Sequence, residues 1–216
     1  YRMPEATGAC VANAKQLQGK ELSFNNIVDI HAALELVREF PHPAAVVIKH
    51  TNPCGVAIGK DALDAYCRAF AADPISAFGG IVGMNRVVDG PLAEEMVKTF
   101  LEAIIAPAFT EEALTVFAAK PNVRLLSVGD LENQTPDFDL KKVGGGFLIQ
   151  NRDDAQISLT DLQVVSDHKP DETELEELLF AWRVVKHVKS NAIVVCRDKQ
   201  TIGVGAGQMN RVGAAE

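Results

Sequence analysis

Ala44-Ala45-Val46-Val47-Ile48-Lys49-His50-Thr51-Asn52-Pro53-Cys54-Gly55 is the stretch whose reading decides the fold. Five apolar residues in succession read as a strand buried on both faces. A basic pair follows directly. Thr51, Asn52, Pro53, Cys54 and Gly55 then form a turn-rich stretch, because Asn-Pro and a nearby glycine are strong turn chemistry.

Upstream, Asp29 reads as an N-cap, and Ile30, Leu34 and Val37 recur at helical spacing up to Phe40. Pro41 and Pro43 end that helix. Downstream, Leu63, Tyr66, Cys67 and Phe70 mark a second helix, broken at Asp73-Pro74. Ser76-Ala77-Phe78-Gly79-Gly80 reads as a loop into the apolar pair Ile81-Val82. Pro91 can open a helix that runs to about Glu102. Ile104-Ile105 reads as a strand stopped at Pro107, residues 111–119 as a helix and residues 123–128 as a strand. A polar loop begins at Gly129-Asp130, and Gly144-Gly145-Gly146 precedes the strand-like Phe147-Leu148-Ile149. Thr173 and Glu176 have capping-box spacing, ahead of a helix marked by Leu175, Leu178, Leu179, Trp182, Val185 and Val188. Residues 192–195 and 201–204 read as strands joined by a turn at 197–200. The alternation of apolar runs with amphipathic stretches predicts an α/β fold with helices packed on a sheet. No internal repeat is evident. A composition shift over residues 153–170 is the best boundary candidate. Residues 205–211 look like a loop about to feed a helix, and the sequence stops five residues later, so truncation is expected there.

Composition narrows the function classes. The 216 residues fit one large domain or two small ones. A 47% hydrophobic and 23% charged composition is that of an ordinary globular chain. Aromatics make up only 6%, so aliphatic side chains must build the core. The net charge of -8, with no long block of Lys and Arg, argues against nucleic-acid binding. The four cysteines form no CxxC pair, which argues against structural zinc or a disulfide framework and for a reducing compartment. No signal peptide or bilayer-length apolar run is seen, so a cytoplasmic protein without a membrane partner is expected.

Lys49-His50 is the sharpest chemical feature. In open α/β sheets, ligands sit beyond the carboxyl ends of strands. Lysine is a cationic donor, and histidine exchanges protons near neutral pH. Neighbours within a strand point to opposite faces, so both can reach one ligand only if the strand has ended and the backbone turns. Without function, the pair is a polar strand end.

In residues 76–80, two glycines let a ligand approach the backbone and Phe78 offers a ring for stacking; an ordinary turn explains the same residues. Glu102, read at a helix end, could accept from an amine or be merely solvated. Lys186 and Lys189 share a helix face, where the macrodipole favours cations. That explains them better than it explains Ser190-Asn191. Arg211 could hold a phosphate or carboxylate, although its glycine-rich loop could be a plain hairpin exit. Cys54 near His50 could be a nucleophile–base pair or the Pro-Cys element of a zinc deaminase. The missing second cysteine and His-x-Glu argue against the latter, and a small buried filler is the preferred reading.

Taken together and in order, Lys15-Gln16-Leu17-Gln18-Gly19-Lys20-Glu21-Leu22-Ser23, Lys49-His50-Thr51-Asn52-Pro53-Cys54-Gly55, Ser76-Ala77-Phe78-Gly79-Gly80, Ile104-Ile105-Ala106-Pro107, Lys189-Ser190-Asn191-Ala192 and Gly205-Ala206-Gly207-Gln208-Met209-Asn210-Arg211 carry a resemblance. The set resembles the formyltransferase region of the AICAR formyltransferase/IMP cyclohydrolase family of purine biosynthesis, over nearly the whole chain. The resemblance implies formyl transfer from 10-formyltetrahydrofolate to the 5-amino group of AICAR. It implies three-layer cytidine-deaminase-like α/β/α units without zinc, the first spanning residues 1–165 and the second beginning at 166–216. It implies a homodimer with its sites at the subunit interface, and a structural potassium ion that the residues do not place. Lys49 and His50 match the catalytic pair. Phe78 and Gly79 match a loop that contacts folate and substrate, Glu102 an acidic position near the substrate, and Asn191 and Arg211 substrate-binding positions.

Two departures matter. The cyclohydrolase domain does not appear in this sequence. The family's Arg-Tyr-Gly-x-Asn-Pro-His-Gln element and its downstream Phe-rich motif are also absent. The expectation is therefore a fragment inactive alone, with a non-catalytic nucleotide-binding fragment as the alternative. In the intact enzyme, His50 would take the proton of the poorly nucleophilic amine, directly or relayed through the carboxamide. Lys49 would stabilise the formyl oxygen or protonate the departing folate nitrogen.

Overall fold

A computed structural model describes residues 6–132 and 138–216. After a 3-10 turn come β1 (Lys15–Gln18), α1 (Phe24–Val37), β2 (Ala44–Lys49), β3 (Asn52–Ile58), α2 (Ala62–Ala72) and α3 (Pro74–Ala77). Next are β4 (Gly80–Met84), α4 (Gly90–Met96), β5 (Leu101–Ala106), α5 (Glu111–Phe117) and β6 (Arg124–Ser127). The rest is β7 (Phe138–Val143), β8 (Gly146–Asn151), α6 (Glu172–Val185), β9 (Ile193–Arg197), β10 (Gln200–Gly205) and α7 (Arg211–Ala215).

Eight strands form one mixed sheet in the order β1-β6-β5-β4-β2-β3-β10-β9. The pairs β4–β5 and β5–β6 are parallel, and the other neighbours are antiparallel. β2 lies in the interior of the sheet, and its side chains alternate between two cores. Ala45 and Val47 join the core made with α2, α4 and α5. Ala44, Val46 and Ile48 join the core made with α1 and α6. The expected three-layer α/β/α architecture holds, as does burial of β2 on both faces.

Several local readings need correction. α1 starts at Ser23, whose side chain forms a capping box with Asn26, and not at Asp29. The apolar period marked only the buried part, because Phe24 and Ile27 in the first turns are exposed. The turn after β2 is His50-Thr51 alone, and Asn52–Ile58 is strand. Val47 pairs with Gly55 and Ile48 with Pro53, so Cys54 is the extra residue of a bulge. Proline's missing N–H is tolerated there. Gly55 is needed because a Cβ would lie 1.9 Å from the Ala69 carbonyl oxygen of α2. Ser76-Ala77 belongs to α3 and is not loop. α4 ends at Met96, so Glu102 stands on β5. The capping box of α6 is Asp171 with Glu174, two residues before the expected pair.

β10 adds to the sheet edge beside β3, and the β9–β10 turn is Asp198-Lys199, both at positive φ. β7 and β8 form a separate two-stranded ribbon. Among the described residues no helix is long and apolar enough to cross a membrane.

Candidate functional site

β2 carries Lys49 to the sheet's end half-buried, and the chain reverses at once through His50 (φ 53) and Thr51 (φ 63). Positive φ at both central positions of a two-residue loop is the geometry that matches strand twist in a hairpin. Asp29, in the second turn of α1, accepts from both turn amides: His50 N–H at 3.1 Å and Thr51 N–H at 2.8 Å. Lys49 Nζ donates to the Phe78 carbonyl at 2.9 Å, which ties β2 to the loop before β4. Asp73 caps α3. Hydrogen bonds from the Ser76 hydroxyl and amide hold its carboxyl below the usual range, and the Lys49 charge adds to that.

Lys49 and His50 open into one cleft of about 620 Å³, which Asn52, Cys54, Asp73 and Ser76 also line. Its opposite wall is Ile193, Val195 and Ile202 of β9–β10, with Gln208 and the end of α7. That volume suits a small molecule.

The second wall is tied to the first. Asn52 Oδ1 accepts from Lys189 N–H at 3.0 Å. Asn191 donates to the Gln208 carbonyl from Nδ2 and from its backbone N–H, each at 3.0 Å. Gly207 N–H donates to the Lys189 carbonyl at 2.7 Å. Residues 189–191 and the loop after β10 thus act as one unit beside the cleft.

The other residues named from sequence lie farther out. Phe78 is exposed, with its ring 5.5 Å from that of Phe100, and Gly79 (φ 72) donates to the Phe100 carbonyl at 2.8 Å. Neither lines the cleft, although Lys49 touches Phe78. Glu102 pairs with Arg124 at 2.8 Å and is also outside the lining. Arg211 is the exposed first residue of α7, behind its N-cap Asn210, while Gly213, Ala214 and Glu216 of the same segment reach the cleft. Sequence reasoning missed the roles of Asp29, Asn52 and Gln208. Nothing local marks Asp29, because its partners lie 21 and 22 residues away.

Behind the site, Glu39 accepts from Lys186 at 2.7 Å, His187 at 2.9 Å and Gln156 at 3.1 Å. Burial alone would raise this carboxyl. Hydrogen bonds from His187, Lys186 and Gln156 outweigh it and bring the pKa down to about 2. This knot joins the end of α1 to the end of α6, one turn before residues 189–191.

Cys54 lines the cleft, but burial first and the Asp73 charge second push its thiol up to about 11. A thiol that stays protonated at neutral pH is a poor nucleophile. Iodoacetamide at pH 7 should leave Cys54 unlabelled in the folded chain, along with Cys196, which burial raises to about 12. Mass spectrometry after digestion reads this, and rapid labelling of Cys54 would restore the nucleophile–base reading of Cys54 and His50. Among the described residues no three His, Cys, Asp or Glu side chains gather as a metal-holding group.

A family model described as AICARFT/IMPCHase bienzyme matches residues 1–216, and the chain belongs to that family of purine-biosynthetic bienzymes.

Proposed function

We propose that this region belongs to the formyltransferase half of the bienzyme and moves a formyl group from 10-formyltetrahydrofolate to the 5-amino group of AICAR. The observation that carries this reading is that Lys49 and His50 both line one cleft although they are adjacent in sequence. The amine's lone pair is delocalised into the ring and carboxamide, so attack on the formyl carbon needs its proton removed. His50 takes that proton, directly or through the carboxamide. Lys49 has three N–H donors and uses one on the Phe78 carbonyl. The others meet the oxygen on which charge builds as the new C–N bond forms. The bond from the formyl carbon to the folate nitrogen then breaks, and that nitrogen receives the proton that His50 took from the amine.

Asn191 and Arg211, with the loop after β10, are proposed to hold AICAR, and Phe78-Gly79 and Glu102 to contribute from the β4–β5 side. The reading includes a homodimer. Support for it is the β7–β8 ribbon, which exposes Phe138, Leu140, Phe147, Leu148 and Ile149. Ribbons of two strands are marginal in water without a partner surface.

The full-length protein mixed with AICAR and 10-formyltetrahydrofolate should release tetrahydrofolate and formylated AICAR. Absence of both products, from folded protein that still binds AICAR by calorimetry, would favour the nucleotide-binding alternative.

A further inference from the structure

We propose that Asp29 is a positioning residue that aims His50 through the backbone of the β2–β3 turn; this rests on the formyl-transfer reading of the cleft. Two-residue turns with positive φ at both central positions are normally built from Asn-Gly or similar pairs. Here they are His50 and the β-branched Thr51. A β-branched residue is among the least suited to the left-handed region. The turn persists only if its surroundings over-determine it.

Asp29 supplies that constraint. One carboxylate oxygen accepts from His50 N–H and the other from Thr51 N–H. From the other side, Thr51 Oγ1 donates to the His50 carbonyl at 2.7 Å and Asn52 Nδ2 donates to the same oxygen at 3.3 Å. The peptide groups on both sides of His50 are therefore held. The direction of a Cα–Cβ bond follows from its backbone, so fixing these groups fixes where the imidazole leaves the chain. Among the described residues the His50 ring makes no hydrogen bond, so its aim comes from the backbone. Catalytic histidines are commonly oriented by a partner on the second ring nitrogen. This chain instead uses a carboxylate on the peptide.

The test uses the full-length enzyme. Asp29→Ala should lower kcat about 100-fold, the scale of a misplaced catalytic group, with the KM for AICAR changed only a few-fold. Asp29→Asn keeps one acceptor oxygen and should fall between. Adding Thr51→Gly to Asp29→Ala should recover at least about tenfold of the loss, because glycine adopts positive φ without steric cost. General damage to α1 would not be relieved by a glycine in the turn. An unchanged kcat in Asp29→Ala, or no recovery in the double variant, would overturn the proposal.

Amide hydrogen exchange reads the clamp without any reaction. His50 and Thr51 amides should exchange faster in Asp29→Ala, and unchanged exchange would overturn the clamp itself. If His50→Ala stayed active while that exchange accelerated, the formyl-transfer reading would fail and the clamp would stand.

Discussion

Replacing His50 with alanine in the full-length enzyme should lower turnover about a thousandfold, within the range supplied by a positioned general base. AICAR binding should stay nearly intact. The imidazole is exposed at the turn and makes no hydrogen bond among the described residues, so its removal leaves no buried partner unsatisfied. The backbone bonds from Asp29 do not involve the ring and survive the change. Thermal stability should therefore move little while kcat collapses. Steady-state kinetics beside calorimetry with AICAR would separate the two quantities. Near-normal kcat would remove His50 from the mechanism, and loss of AICAR affinity in proportion to kcat would make it a binding residue.

Breaking the Glu39 knot should give the largest loss of stability. Glu39 and Lys186 side chains are each 9% exposed, and His187 is 21% exposed. Glu39→Gln leaves the buried ammonium of Lys186 without its counter-charge, which costs about 3 kcal/mol or more. The pH dependence has a definite sign. The folded pKa of about 2 lies below the ordinary value of 4.5, so the carboxylate's contribution is fully present above about pH 4.5. It is lost as pH falls toward 2, and its size is about 3 kcal/mol. Wild type and Glu39→Gln should differ strongly in urea at pH 7 and converge near pH 2. Equal midpoints at pH 7 would dismiss the knot as a stabilising element. The same change should also loosen residues 189–191, because α6 feeds directly into them.

The helices around Tyr66 and Trp182 were readable because each is long enough to show its period, and the strands at 46–48 and 104–105 because they are unbroken apolar runs. The start of α1 was not, because Phe24 and Ile27 in its first turns face solvent and fell outside the stripe read from Ile30, Leu34 and Val37. Glu102 was misplaced on a helix because α4 stops at Met96 and the short link to β5 has no glycine or proline to mark it. The turn at His50-Thr51 was hidden because its residues are poor turn formers, while the better candidates, Pro53 and Gly55, serve a bulge and a close helix approach.

From the order of residues alone came the α/β class, the buried central strand, the cation–imidazole pair at its end and the resemblance to a purine-biosynthetic family. Those features are local, or are strings of local motifs, and local periodicity and chemistry carry them. Tertiary structure alone decided that Asp29 reaches across from α1 to hold the turn, that Asn52 ties the first wall of the cleft to residues 189–191, and that Glu39 locks α1 to α6. Each of these joins groups between 22 and 147 positions apart. The physical reason is that such partners meet only after the sheet has assembled and its two cores have set the helices in place, so no window of sequence contains both.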